Sequence, residues 1–274
     1  MSNTWLITGA SAGLGRLMAE RVLARGDRVF ATLRREGALD DLAQRYGAQL
    51  RVLPLELTDT PALRAVVAQA FAEAGRIDVV VSNAGYGLFG AAEEVSDAQI
   101  ERQLATNLLG SIQLIRAVLP YLRAQGGGRV VQVSSEGGQI AYPNFSLYHA
   151  SKWGIEGFVE AVAQEVAPFN ISFVIAEPGP TATQFGASLD HGTPLPEYEA
   201  TPAGALRRAI ESGAFAIKGD AGNTVAAIIA AADAERPPLR LVLGSTAYAS
   251  VSEALRARLS ALEAQQAVAL SADR

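Results

Sequence analysis

Seven short runs along the chain are continuously apolar rather than alternating. They are TWLIT at 4–8, RVFATL at 28–33, LRVLPL at 50–55, DVVVSN at 78–83, RVVQVS at 129–134, ISFVIA at 171–176 and LRLVLG at 239–244. Runs of this kind, rich in Val, Ile and Leu, are what parallel strands covered on both faces require. Between them lie longer stretches with apolar residues at helical spacing, and two of these carry start signals. Ser96 with Gln99 forms a capping box ahead of IERQLATNLLGSIQLIRAVLPYL. Thr60-Pro61 puts a proline at the first helical position before ALRAVVAQAFAEAG. Strand–helix alternation from end to end predicts an α/β fold, an open, doubly wound parallel sheet of about seven strands with helices on both faces.

The alternation has one long interruption. Residues 184–222 are punctuated by Pro, Gly and aromatics, with room for one helix in the second half. Segments of this length in a compact domain are usually functional or disordered, and this one is the expected substrate loop. No repeat or Pro/Gly linker divides the chain, so 1–274 reads as one domain. The tail is amphipathic over about 249–266 and then frays into a polar end; its apolar face suits packing on the body or on a second subunit.

Composition narrows the picture further. The chain has 274 residues, 49% of them hydrophobic, enough for one large core. The absence of cysteine excludes disulfides and thiolate metal sites, and with two histidines, His149 and His191, no metal centre is expected. It also fits a reducing compartment. No stretch approaches the length of a membrane span, and the first residues lack the basic region of a signal peptide, so a cytoplasmic protein is expected. A net charge of −5 gives no general attraction to nucleic acid or anionic lipid.

Chemistry is suggested at the strand ends. TGASAGLG, residues 8–15, follows the first strand and opens a helix, where glycines let the backbone approach a pyrophosphate at the helix N-terminus. At the end of the second strand an NAD site would carry an acid; Leu33 stands there, followed by Arg34 and Arg35. Guanidinium groups hold a 2′-phosphate that an acid would repel, so NADP(H) is preferred over NAD(H). SNAG, residues 82–85, ends the fourth strand in a tight turn that can pass close to a cofactor. Ser134 and Ser135 end the next strand, and Ser135 precedes Tyr148 by thirteen residues. In SLYHASKWG, residues 146–154, Tyr148 and Lys152 lie one helical turn apart on one face. A cation beside a phenol favours the phenolate, which suits a general acid or base.

Together these motifs resemble the short-chain dehydrogenase/reductase family in its compact single-domain branch. The TGxxxGxG glycines, the NAG turn at 83–85, Asn107 in mid-helix, Ser135, Tyr148 with Lys152, and EPGPTATQF at 177–185 occur in the family's order. The resemblance runs from TGASAGLG to LVLG and implies a Rossmann-type sheet, a homodimer or homotetramer, and a role for each matching residue. Tyr148 would pass the proton to or from the substrate oxygen, and Lys152 would lower the Tyr pKa and hold the nicotinamide ribose. Ser135 would hydrogen-bond the carbonyl oxygen, and Asn107 would hold a water in a proton relay. The cofactor would lie against Gly9, Ser11, Ala12, Gly13, Leu14 and Gly15, with Arg34 and Arg35 at its phosphate. Glu56 and Leu57 would stand at the adenine, and Asn83, Ala84 and Gly85 along its length. Pro178, Gly179, Thr181 and Thr183 would meet the nicotinamide and phosphates. ATLRR is similar to the NADPH-preferring, 17β-hydroxysteroid dehydrogenase-like members.

Three positions depart from the commonest family pattern. Ser82 precedes the NAG turn in place of Asn, Glu56 replaces an Asp, and Trp153 follows the lysine where smaller residues are usual. Trp153 reads as helix packing, His149 as structural, His191 as solvated and Glu136 as part of a solvent-facing turn. Tyr86, Phe89, Tyr142, Phe145, Phe185 and Tyr198 fall in the segments expected to wall the pocket. They suggest a ketone or secondary alcohol with an apolar body. The expected activity is NADPH-dependent interconversion of carbonyl and alcohol. A catalytically silent NADP(H)-binding sensor or scaffold is the alternative, and an intact Ser–Tyr–Lys–Asn set speaks against it.

Overall fold

The computed structural model describes residues 2–273 and realises the alternation strand by strand. The first half runs β1 (Thr4–Thr8), α1 (Gly13–Ala24), β2 (Arg28–Leu33), α2 (Asp40–Tyr46), β3 (Leu50–Pro54), α3 (Thr60–Ala74), β4 (Val79–Ser82) and β5 (Leu88–Phe89). It continues with α4 (Asp97–Leu104), α5 (Ser111–Ala124), β6 (Gly128–Val133), α6 (Ser146–Val166), β7 (Ile171–Pro178) and β8 (Asp190–His191). The chain then forms α7 (Pro202–Glu211), α8 (Ala221–Asp233), β9 (Arg240–Leu243), α9 (Ser245–Ala264) and α10 (Gln266–Leu270). Seven strands pair in parallel in the order β3-β2-β1-β4-β6-β7-β9. The strand order reverses between β1 and β4, and a crevice at their carboxyl ends is where this topology holds ligands.

Alternation along each strand fills two separate cores. Trp5, Ile7, Val29 and Ala31 face α1 and α8, together with Met18, Val22, Val225 and Ile228. Leu6, Phe30, Val80 and Val130 face α3, α5 and α6, with Leu63, Leu114, Val118, Ile155 and Val159. Helices on both faces follow from strands whose apolar residues fall on both faces of the sheet.

Start signals hold with one shift. The Ser96/Gln99 capping box is formed in full. Asp59 rather than Thr60 caps α3, its carboxylate accepting from the Ala62 N–H at 3.0 Å, so Pro61 is the second helical residue. The expected C-terminal helix begins earlier than residue 249, at Ser245, and a further short helix follows it. Only Ala247 and Val251 of α9 are buried, whereas Leu255, Leu259 and Leu262 stay about half exposed, so this chain covers little of the amphipathic face. Trp153 is half exposed too, and its helix packing is against α9, where it lies under the Arg258 guanidinium, 5.0 Å from its ring centroid.

The interruption at 184–222 is more ordered than its composition suggests. β8 pairs with β5 as a small second sheet, and α7 supplies the anticipated helix. The buried pair Arg207–Glu94 at 2.5 Å fastens α7 to the turn before α4, and Arg102–Asp190 at 3.0 Å fastens β8 to α4.

Candidate active site

The glycine turn between β1 and α1 is shaped by contact with the turn after β4. Gly9 has φ +65°, and a Cβ there would lie 2.7 Å from the Cα of Ala84; a Cβ on Gly15 would lie 2.4 Å from Asn83 Nδ2. Asn83 Nδ2 donates to the Thr8 and Gly9 carbonyls at 2.9 and 3.2 Å. The N–H groups of Asn83 and Ala84 both donate to Thr8 Oγ1, at 3.0 and 3.2 Å. Thr8 therefore clasps the two turns together, a role that reading the motif for its glycines passes over. Gly85 approaches Asn107 closely, and Leu14 packs on the core.

Ser11, Ala12 and Gly13 line a cleft of about 370 Å³ whose other walls carry Arg16, Arg35, Ala182 and Thr183. No side chain caps α1, so its first N–H groups are left for a ligand at the positive end of a twelve-residue helix. Two guanidinium groups, an uncapped helix start and a turn too tight for side chains fit a dinucleotide with an added phosphate. Arg16, not anticipated from the sequence, already holds the Ala38 carbonyl at 2.6 Å and Asp41 at 2.5 Å. Its signal was a basic residue directly after the last glycine. Arg34 does not line this cleft; it is exposed and meets Glu56 at 3.4 Å. Glu56 in turn accepts from the backbone and hydroxyl of Thr58. Leu57 is buried, close against Gly110.

After β7 the chain turns at Pro178-Gly179, and Gly179 packs on Ala247. Thr181 Oγ1 donates to the Gly179 carbonyl at 2.8 Å, and Thr183 faces Gly13 across the cleft.

Ser135, Tyr148 and Lys152 are all buried where β6 runs out under the start of α6. Lys152 Nζ donates to the Val133 carbonyl at 3.0 Å and lies 5.5 Å from the Tyr148 ring centroid. Burial pulls the ammonium down to about 8, against the opposing charge of Glu156. Burial pushes the Tyr148 phenol up to about 12, with Ser135 acting in the opposite direction. Asn107 sits in a π-helical turn at Ala105–Gly110, between α4 and α5, where sequence periodicity reads straight helix. Such wide turns recur at functional sites. Its side chain accepts from the Tyr86 N–H at 3.1 Å and donates to the Tyr86 carbonyl at 2.7 Å.

Glu136 is not the solvent-facing residue expected from the sequence. It is 3% exposed, its Oε2 has no partner, and burial alone raises its carboxyl to about 7. Covering by α6 decides this, and a short Gly-rich run carries no periodicity that reveals it. An acid with its folded pKa raised above the unfolded value destabilises the fold as pH climbs through that interval. Glu136→Gln is therefore expected to melt higher than the parent at pH 8 and alike near pH 4, as read by calorimetric scans at both pH values. His149 is buried as expected, with neither ring nitrogen partnered, and burial lowers it to about 4.

Aromatic rings crowd Tyr148. Phe145 lies 6.1 Å away between Phe89 and Tyr142, at 5.1 and 5.4 Å, and Phe185 stands 5.6 Å from Tyr148. Tyr86 is half buried beside Asn107. Tyr198 is not part of the wall, because its hydroxyl donates to Glu93 on the rim at 2.8 Å. His191 is exposed on β8 with its ring edge-on to Phe89.

Residues 3–193 match the family profile described as short chain dehydrogenase. The chain is 38% identical over 253 residues to Oxidoreductase BOA17 of Botryotinia fuckeliana, covering 90% of each chain. It is 35% identical over 217 residues to Estradiol 17-beta-dehydrogenase 1 of Rattus norvegicus, covering 76% of this chain and 60% of that one. The crystal structure of a short-chain dehydrogenase from Streptomyces avermitilis superposes with a TM-score of 0.91 at 37% identity, covering 99% of this chain and 98% of the other.

Proposed function

The chain belongs to the short-chain dehydrogenase family and is an NAD(P)-dependent oxidoreductase of it, and from that premise we propose that it reduces a ketone with an apolar body, using NADPH. The observation that carries this reading is the burial of Ser135, Tyr148 and Lys152 together, at the carboxyl edge of a sheet whose glycine turn opens into an arginine-lined cleft. The cofactor, when bound, supplies the hydride.

The protein's part is position and proton transfer. Thr8 and Asn83 fix the glycine turn against the NAG turn, and α1 with Arg16 and Arg35 takes the phosphates. Thr183 stands on the opposite wall of the cleft, and Pro178, Gly179 and Thr181 lead the chain from β7 towards it. Ser135 and Tyr148 hold the substrate oxygen, and Tyr148 donates the proton that completes the alcohol. Lys152, one turn along α6, supplies the positive charge that favours the resulting phenolate. Asn107 closes the proton path to solvent, and because its amide is committed to the Tyr86 backbone, that role falls to its main-chain carbonyl. Phe89, Tyr142, Phe145 and Phe185 receive the apolar body. The exposed leucines of α9 support a homodimer or homotetramer, which light scattering checks. Among the described residues no helix is long and apolar enough to cross a membrane, and a cytoplasmic location remains part of this proposal.

Titration with NADPH and NADH by nicotinamide fluorescence, followed by a ketone screen, tests the reading. Tighter NADPH binding with turnover of an apolar ketone is the expected result; failure to bind either nucleotide overturns it. Arg35→Ala is expected to raise the NADPH KM by about ten-fold or more and to leave the NADH KM within about two-fold, since only one cofactor carries the extra phosphate. Arg34→Ala is expected to follow with a smaller effect, because Glu56 already engages that guanidinium. Equal changes for both cofactors would sink the 2′-phosphate assignment.

A further inference from the structure

Tyr148, Lys152 and Glu156 follow one another at four-residue intervals along α6, on one face of the helix. The first two have roles in the reaction proposed above; the third has none, and it is 1% exposed. Both oxygens of its carboxylate are engaged by other elements. Oε1 accepts from the Ser134 hydroxyl at 2.5 Å, and Oε2 accepts from Arg240 Nη1 of β9 at 2.5 Å. A carboxylate gripped on both sides by charge-assisted bonds is a fixed point of the structure.

What it fixes is the stretch of chain that the reaction uses. Ser134 stands between Val133, whose carbonyl receives the Lys152 ammonium at 3.0 Å, and Ser135. Its own N–H donates to the Ala176 carbonyl of β7 at 2.7 Å. The turn beyond Ser135 is seated on the same carboxylate. Gly138 N–H donates to the Ser135 carbonyl at 3.0 Å, and a Cβ on Gly138 would run into the Glu156 side chain. Gly138 has no left-handed φ, so this close approach alone requires glycine there. Ser135 is thus bracketed, by Ser134 before it and Gly138 after it, against one buried anion. A carboxylate is a costly way to satisfy one hydroxyl, which a main-chain carbonyl would do as well. It adds a negative charge one turn from Lys152, opposing the burial that strips the ammonium of its proton.

We propose that Glu156 is a positioning residue of the active site: through Ser134 it holds both Ser135 and the Val133 carbonyl on which Lys152 docks, and it places its charge beside that ammonium. The roles of Ser135 and Lys152 in this proposal rest on the reductase reading. Glu156 itself touches neither substrate nor cofactor. The charged groups around its carboxylate are Lys152 and Glu160 on its own helix, Arg240 from β9 and Glu177 from β7. All four are retained in the variants below, so the charge that changes is that of Glu156 alone.

Lys152 and Lys218 are the only lysines of the chain, and Lys218 is exposed. Lysine labelled with ¹³C therefore gives two NMR signals, assigned with Lys218→Arg, and Lys152 is titrated directly in the cofactor-free protein. Its midpoint in the parent is expected near 8. Glu156→Gln is expected to lower that midpoint by about one pH unit or more, and Ser134→Ala, which keeps the charge, to leave it within about 0.3. Turnover reads the placement of Ser135. With NADPH and a ketone at pH 6, Ser134→Ala and Glu156→Ala are expected to lose about ten-fold in kcat with the NADPH KM within about two-fold, the loss that slight misplacement of a reacting group brings. Glu156→Gln is expected to recover most of that loss, because its amide oxygen can accept from Arg240 while its NH2 donates to the Ser134 hydroxyl. A Lys152 midpoint that stays or rises in Glu156→Gln overturns the proposal. So does a parent-like kcat in Ser134→Ala, or no recovery from Glu156→Ala to Glu156→Gln. Ser134→Ala leaves the Glu156–Arg240 pair intact and keeps the test decisive if Glu156→Ala does not fold. If the parent reduces no ketone, the reductase reading fails separately, and the lysine titrations decide this proposal by themselves.

Discussion

Replacing Tyr148 by Phe is expected to lower turnover by about 10³-fold while leaving NADPH affinity within about two-fold, the loss that general acid catalysis typically represents. The ring stays, and with it the contacts to Phe145 and Phe185 that hold this part of α6, so the melting temperature should hardly move. Only the hydroxyl is removed, and with it the proton donor beside Ser135. The pH dependence of the parent sharpens the test. In reduction the phenol must be protonated, and burial keeps it so at any pH below about 12. The alkaline limb is therefore set by Lys152, whose buried ammonium is lost near pH 8. Reduction is expected to fall as pH rises through about 8, with no limb attributable to the phenol below that. Single-turnover NADPH oxidation across pH 6–10, with fluorescence titration of the cofactor, checks both. Substantial activity in Tyr148→Phe rules out its acid role. A parent that binds NADPH but turns over no ketone in a broad panel returns weight to the sensor reading.

What the sequence made legible follows from where its physics is local. All seven strands of the main sheet end within two residues of their expected limits, because apolar runs buried on both faces leave no other reading. The Ser96 capping box is equally local, since both its bonds lie within four residues. The two-residue strands β5 and β8 escaped notice, since two residues carry no period and their pairing is set by the chain brought round between them. The π-helical turn at Asn107 escaped for the opposite reason, because apolar spacing continues through it and one widened turn shifts the pattern by a single residue. Glu136 lies in surroundings other than those its sequence suggests: a Glu in a Gly-rich turn is exposed on average, and here the packing of α6 buries it. Trp153 packs on a helix as read, against the Arg258 guanidinium of α9, while staying half exposed.

Arg240 is the clearest case of energetics that only the assembled fold exposes, and removing it carries the largest expected cost in stability. It opens β9, a strand whose sequence reads as apolar. Its Nη1 donates to Glu156 Oε2 at 2.5 Å and to Glu177 Oε1 at 2.6 Å, and its Nε to Glu160 Oε1 at 2.9 Å. The Glu156 and Glu177 side chains are 2% and 0% exposed, so one guanidinium serves two buried carboxylates. Glu156 also accepts from Ser134 at 2.5 Å, and Glu177 directly precedes the Pro178-Gly179 turn. The same cation thus ties together the ends of β6 and β7 and the helix that carries Lys152. Breaking a buried pair by removing one partner leaves uncompensated charge, and Arg240→Ala is expected to cost about 3–5 kcal/mol. In melting temperature that is a loss of roughly 10 °C. The pH dependence has a definite sign. Glu177 already lies above the ordinary carboxylate range because it is buried and faces Glu156, and Arg240 opposes that rise. Without the guanidinium the folded chain holds its proton to higher pH than the unfolded chain does. Stability is then retained in acid and lost as pH rises, and the deficit of Arg240→Ala is larger at pH 8 than at pH 5. Adding Glu177→Gln removes one of the two stranded charges and should recover part of the loss, a coupling that a double-mutant cycle in urea reads directly. A deficit that is the same at both pH values, or no recovery in the double variant, would mean that water reaching the half-exposed end of the site solvates these carboxylates without Arg240.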